Sequence, residues 1–257
     1  MTPSSLRNRG EPDGPRPNRR RDAIIDPDRY DAVVFDLDAV VTDTAAVHAI
    51  AWRRLFDEYL ATRPAAPGED HSPFTDDDYR RFLDGRSCYD GVSGFLISRG
   101  ITTDLTTIHE LGERKGQYFL EHLHRDGVHA FPDTMALIDR LDAAGLTYGV
   151  ISASRNCAEV LTAAGLQDVF EVRVDGLVAR ELDLPGKPDP AVFLLAAHWL
   201  GVTPLRTVVV EGSLAGVEAG RAGGFGLVIG VDRTGHADDL FEHGADVVVG
   251  DLAEAVV

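Results

Sequence analysis

Five short runs of apolar, mostly β-branched residues constrain this chain more than any other feature. They are Ala32–Phe35, Thr147–Ile151, Thr207–Val210, Gly226–Val231 and Asp246–Val249. Apolar runs this short, without polar alternation, suit strands buried on both faces, as in a parallel sheet. Amphipathic stretches lie between them, at Asp133–Ala144, Asn156–Ala164, Pro190–Leu200 and Leu214–Ala222. Gly145, Gly165, Gly201 and Gly223 stand where C-terminal helix caps belong. Repeated strand–helix units predict an α/β fold, a doubly wound, Rossmann-like parallel sheet with right-handed crossovers.

One segment breaks the rhythm. Between the first and second runs the sequence reads as helix only, at Ala45–Leu60, Thr75–Leu83, Asp90–Ser98 and Asp104–Leu123. A loop rich in Pro, Gly and Asp (Arg63–Pro73) interrupts it. This predicts an inserted all-helical cap domain over residues 45–127, with an α/β core over 27–44 and 128–257. Residues 1–26 begin with an arginine-rich stretch almost free of apolar side chains, and are expected to be a disordered tail.

Composition narrows the function. The 257 residues carry 25 basic and 42 acidic side chains, a formal net charge of −17. Such acidity argues against nucleic acid or a membrane surface as partner, since both attract clustered positive charge. No run approaches the roughly 20 apolar residues of a membrane span, and the N-terminus has no secretory h-region. Cys88 and Cys157 stand far apart in unlike contexts, so a reducing, cytoplasmic setting is expected. Only two of the basic residues are lysine, Lys115 and Lys187. In a chain this biased toward arginine, a lysine marks a place where a compact point charge is needed.

Ligands of open parallel sheets bind beyond the carboxyl ends of the strands. Asp36 and Asp38 follow the first run, Ser152 the second and Glu211 the third, while Lys187 lies in the loop GKPDP. If the topology brings them together, they suit phosphoryl transfer. One carboxylate can be a covalent nucleophile, and another two residues on can serve as acid and base. A hydroxyl and a lysine can hold the phosphoryl oxygens, and Mg²⁺ on oxygen ligands would neutralise their charge.

FDLDAVVTDTAAVHAIAW, ISASRN, GKPDPAVFLLAAHWLGV and VVVEGSLAGVEAGRAGGFGLVIGV occur in this order from about residue 30 onward. The sequence resembles the haloacid dehalogenase superfamily, in its β-phosphoglucomutase-like branch. The resemblance implies that Asp36 is the nucleophile and Asp38 the acid/base. It implies that Ser152 and Lys187 bind the transferring phosphoryl group, and that Lys115 reaches the site from the cap. Ser154 and Asn156 match substrate contacts, His48 matches a residue near the nucleophile loop, and Thr44 matches the hinge. Asp36, Asp38 and Glu211 would hold Mg²⁺. A small sugar-type phosphate would be the partner, in a monomeric phosphatase or phosphomutase working through an aspartyl-phosphate.

Three positions depart from the pattern. Ala39 stands where the branch carries Gly. Gly212 replaces an Asp that ligates the metal. In LDGRSCYDG, Asp84 and Cys88 replace basic residues, and Arg86 is the candidate to compensate. These departures motivate an alternative, a catalytically impaired or repurposed member that binds a phosphorylated ligand or a partner protein.

Overall fold

The structure, a computed structural model, describes residues 24–255. Six parallel strands form one sheet. They are β1 (Ala32–Asp36), β2 (Thr147–Ile151), β3 (Val172–Val174), β4 (Thr207–Glu211), β5 (Leu227–Val231) and β6 (Val247–Val249), in the order β3-β2-β1-β4-β5-β6. The order reverses at β1, where a doubly wound sheet opens its ligand crevice. Pairing of Asp36 with Ile151 and of Phe35 with Val210 brings the ends of β1, β2 and β4 level. Asp36, Ser152 and Glu211 thereby share one edge.

Of the five helices between β1 and β2, the first four form a block of their own: α1 (Thr44–Thr62), α2 (Asp76–Phe82), α3 (Cys88–Ser98) and α4 (Leu105–Asp126). Local chemistry sets their starts. Thr75 and Asp78 form a reciprocal capping box on α2, Ser87 caps α3 and Asp104 caps α4. They enclose an apolar cluster of their own, centred on Phe56, Phe74 and Phe95. The buried Arg99 ties the intervening loop to this block through Asp70, Asp78 and the Ser72 carbonyl. The remaining helices flank the sheet: α5 (Pro132–Ala144), α6 (Cys157–Ala163), α7 (Gly176–Glu181), α8 (Ala191–Trp199), α9 (Leu214–Ala222) and α10 (Ala237–Glu242). Two apolar clusters, one around Phe35 and Leu137 and one around Phe193 and Val228, build the core.

The two chain segments that join core and helical block run side by side. Phe131 donates to the Val41 carbonyl at 2.9 Å and Asp43 to the His129 carbonyl at 3.1 Å, while the His129 N–H meets Asp43 Oδ1 at 2.9 Å. Thr42 forms bridges both to Asp38 and to Ala130.

The structure corrects several expectations. β3, α7 and α10 are absent from the sequence reading. β3 has only three residues, with the exposed Arg173 between two buried valines, so it makes no continuous apolar run. α7 and α10 have six residues each, too few to display a period. At the end of α9 the left-handed residue is Gly224, not Gly223. A Cβ on Gly223 would strike the Phe225 ring at 2.6 Å, so close packing explains that glycine. Of the expected tail, residues 1–23 lie outside the described residues. Ile24 and Ile25 do not belong to it: Ile25 is fully buried in the core and Ile24 packs against it, because apolar side chains there cover β-sheet surface.

Ala39 adopts φ 63°. That left-handed backbone costs an L-residue with a Cβ roughly 1 kcal/mol relative to glycine. Ala39→Gly is therefore expected to raise stability by about 1 kcal/mol, read as a shift of the urea midpoint. A loss of stability would show that the Ala39 methyl group is needed for packing.

Candidate active site

At the carboxyl edge of the sheet, Lys187 Nζ donates to Asp36 Oδ1 at 2.7 Å and to Glu211 Oε1 at 2.5 Å. All three side chains are buried. Burial disfavours an ammonium, but the two carboxylates outweigh it and raise the Lys187 pKa well above that of an ordinary lysine. Burial, with Glu211 close by, pushes the Asp36 carboxyl above the usual carboxylate range, while Lys187 pulls it back. Glu211 is fixed further by the Ser213 N–H (2.8 Å) and hydroxyl (3.0 Å), both on Oε2. Its carboxylate fills the space where Gly216 lacks a side chain: a Cβ there would lie 1.8 Å from Oε1.

Asp38 faces the other way, toward the helical block. Thr44 donates to its Oδ1, and His48 Nε2 lies 3.3 Å from the same atom. Lys115 Nζ donates to His48 Nδ1 at 2.5 Å and sits over the Trp52 and Phe119 rings. Burial and the Lys115 charge push the His48 pKa down. Burial works to raise the Asp38 carboxyl, but His48, Thr44 and Lys115 outweigh it and hold it well below the usual range. Ser152 Oγ closes the set, 3.4 Å from Asp38 Oδ2. The Ser154 N–H donates to Ser152 Oγ at 3.0 Å, and the Asn156 N–H to Ser154 Oγ at 3.2 Å.

The structure thus brings together Asp36, Asp38, Ser152, Lys187, Glu211, His48 and Lys115. Ser154, Asn156 and Arg86 line the same cavity, which has a volume of about 60 Å³. Sequence reading missed Tyr79, Trp52, Arg155 and Ser213. Arg155 lies between two expected site residues in ISASRN, and Ser213 lies two residues past Glu211. Those positions were the available signals. Tyr79 and Trp52 read only as apolar-face residues of helices.

Asp84 enters the cavity from the turn after α2. Gly85, at φ 70°, lets this turn press on the core: a Cβ there would lie 2.1 Å from Ser213 Oγ. Burial, with Glu211 next in effect, pushes the Asp84 carboxyl up to about 7. A carboxyl with a raised folded-state pKa contributes stability that is present below its unfolded value and is lost as pH rises through the folded one. Melting temperature is therefore expected to fall between about pH 4 and pH 7, and Asp84→Asn should flatten that slope. An unchanged slope in the variant would place the titration elsewhere.

The donor set matches a hard cation only in part. Asp36 and Glu211 each turn one carboxylate oxygen to the point held by the Lys187 ammonium, and oxygen donors of this kind suit Mg²⁺. The Asp38 side chain does not join them, because it is turned to Thr44 and His48. Gly212 adds no donor. There is room for one, since a Cβ at 212 would make ordinary contacts with Ala39 Cβ (3.4 Å), Val40 Cγ2 (3.5 Å) and the Val231 carbonyl (3.6 Å).

This geometry agrees with the comparisons to known proteins. A profile of haloacid dehalogenase-like hydrolases matches residues 30–224. A β-phosphoglucomutase of Mycobacterium bovis is 44% identical over 241 residues, covering 89% of this chain and 92% of its own. A β-phosphoglucomutase of Bacillus subtilis is 31% identical over 223 residues, covering 85% and 88%. The crystal structure of a β-phosphoglucomutase from Clostridium difficile superposes with a TM-score of 0.71 at 25% identity, over 88% of this chain and 92% of that one. The chain belongs to the haloacid dehalogenase-like hydrolases, in their β-phosphoglucomutase-like branch, and is an enzyme of the phosphatase and phosphomutase type. No helix among the described residues is long and apolar enough to cross a membrane.

Proposed function

We propose that the protein transfers the phosphoryl group of a small sugar-type phosphate through an aspartyl-phosphate on Asp36. The observation that carries this reading is the meeting of Asp36, Ser152, Lys187 and Glu211 at one sheet edge, with Asp38 beside them. Sugar phosphates enter the reading through the relatives named β-phosphoglucomutase.

In the first step an Asp36 oxygen attacks phosphorus and the bond to the sugar oxygen breaks. Asp38 gives its proton to the departing oxygen. The low Asp38 pKa belongs to the substrate-free site, and a phosphate dianion alongside raises it by like-charge repulsion, so the acid form is reached with substrate bound. In the second step Asp38 takes a proton from water or from an acceptor hydroxyl. That oxygen attacks phosphorus and the bond to Asp36 breaks. Water as acceptor makes a phosphatase, and a sugar hydroxyl makes a mutase. Ser152 and Lys187 hold the phosphoryl oxygens throughout, and Lys115 with His48 orients Asp38. Asp36 and Glu211 would hold Mg²⁺, which when bound neutralises charge on the phosphoryl oxygens.

A screen of hexose and cyclitol phosphates for phosphate release and for isomerisation, with and without Mg²⁺, tests the reading. Absence of both activities across the screen would overturn it. The metal arm carries a further expectation. Gly212→Asp restores a carboxylate at the end of β4, and should tighten Mg²⁺ binding about tenfold by calorimetry. Unchanged affinity would mean that this strand end does not face the metal.

A further inference from the structure

The catalytic cavity, at about 60 Å³, falls well below the roughly 300 Å³ at which small-molecule pockets begin. A phosphoryl group held by Ser152 and Lys187 fills it, and the alcohol half of the substrate must extend elsewhere. A second hollow of about 300 Å³ adjoins it, between the first turn of α3 and α7. Cys88, Ala153, Arg155 and Lys187 line both spaces. Ser152 and Lys187, which hold the phosphoryl group in the reading given above, also line the hollow.

The walls suit carbohydrate. Ala179, Leu184, Pro185 and Val192 supply an apolar floor for the C–H faces of a ring, and Asp90 and Arg180 stand among the lining residues to meet hydroxyls. The volume is at the lower bound of small-molecule pockets, roughly 300 Å³. One hexose ring leaves such a space partly empty, and a second ring fills it. A larger hollow of about 370 Å³ lies on the other side of the site, beside Ala39 and Gly212, but neither Ser152 nor Lys187 lines it.

We propose that the hollow between α3 and α7 is a subsite for the leaving alcohol, and that it selects monophosphates of disaccharides over those of single hexoses. The proposal rests on the phosphoryl-transfer reading given above.

The experiment compares phosphate release from sucrose 6-phosphate and trehalose 6-phosphate with release from glucose 6-phosphate. The expected kcat/KM ratio favours at least one disaccharide ester by tenfold or more. Ala179→Trp, which fills the floor, should lower that ratio at least fivefold, while Ala179→Ser preserves it. Leu184→Phe serves the same purpose where the tryptophan variant does not fold. Loss of stability alone would lower both rates and keep the ratio. A ratio near one, or a ratio indifferent to both filling variants, overturns the subsite. Calorimetric binding of the same esters to Asp36→Asn decides the matter without turnover. If no ester is hydrolysed, the phosphoryl-transfer reading fails, and equal binding of both classes overturns the subsite independently.

Discussion

Asp36→Asn is expected to lower turnover of any accepted sugar phosphate by at least three orders of magnitude. That corresponds to about 4 kcal/mol in the activation barrier. An amide oxygen is a poor nucleophile and forms no stable acyl-phosphate here, so the covalent route closes. The fold should tolerate the change. Asn is nearly isosteric with Asp, and its amide oxygen can still accept from the Asp38 N–H (2.9 Å in the native protein) or from Lys187. Burst-phase and steady-state phosphate release on the same preparation provide the measurement. Wild-type rates in this variant would exclude the covalent mechanism outright.

Lys187→Met is expected to damage both stability and catalysis. The ammonium lies between two carboxylates that are almost wholly buried, and methionine removes the charge while keeping much of the volume. Leaving buried charge without its partner costs about 3–5 kcal/mol. The variant should therefore unfold at markedly lower urea concentration than wild type. It should also regain stability on acidification, because protonation discharges the uncompensated carboxylates. The sign follows from the raised Asp36 pKa: its contribution is favourable at low pH and is lost as pH climbs through the folded value. Removal of one preorganised donor to the phosphoryl oxygens should lower kcat a further 10²–10³-fold, taken as an order of magnitude. A variant as stable as wild type at pH 7 would contradict the ion-pair geometry.

The lines of descent from sequence to structure differ from one residue to the next. The strands that end at Asp36, Ser152 and Glu211 are legible because burial on both faces leaves an unbroken apolar signature. The scarcity of lysine is legible in the same way: Lys115 and Lys187 both turn out to be buried in the site. β3 is hidden because a strand at the sheet edge needs only Val172 and Val174 inward, leaving Arg173 free to be polar. The approach of Asp84 to Glu211 could not be read, since it depends on how closely the Gly85 turn presses against Ser213. That is a fact of packing between distant segments and has no local pattern. The outward turn of Asp38 belongs to the same class. Its two neighbours in space, His48 and Thr44, come from the helix that follows, and their distances are set by how the helical block docks.

The paired connecting segments around Thr42 have a bearing on acidity as well as on access. Two segments of chain tied side by side would serve as a single pivot, on which the helical block would swing as one body rather than unravel at one end. Thr44, His48 and Lys115 ride on that body, whereas Asp38 stays with the sheet. Each such swing would remove or restore the three groups that keep the Asp38 proton off. Such a pivot would couple a mechanical coordinate to a chemical one: with the block swung away, Asp38 would lose those partners and bind a proton more readily, and with the block docked it would be primed to release it.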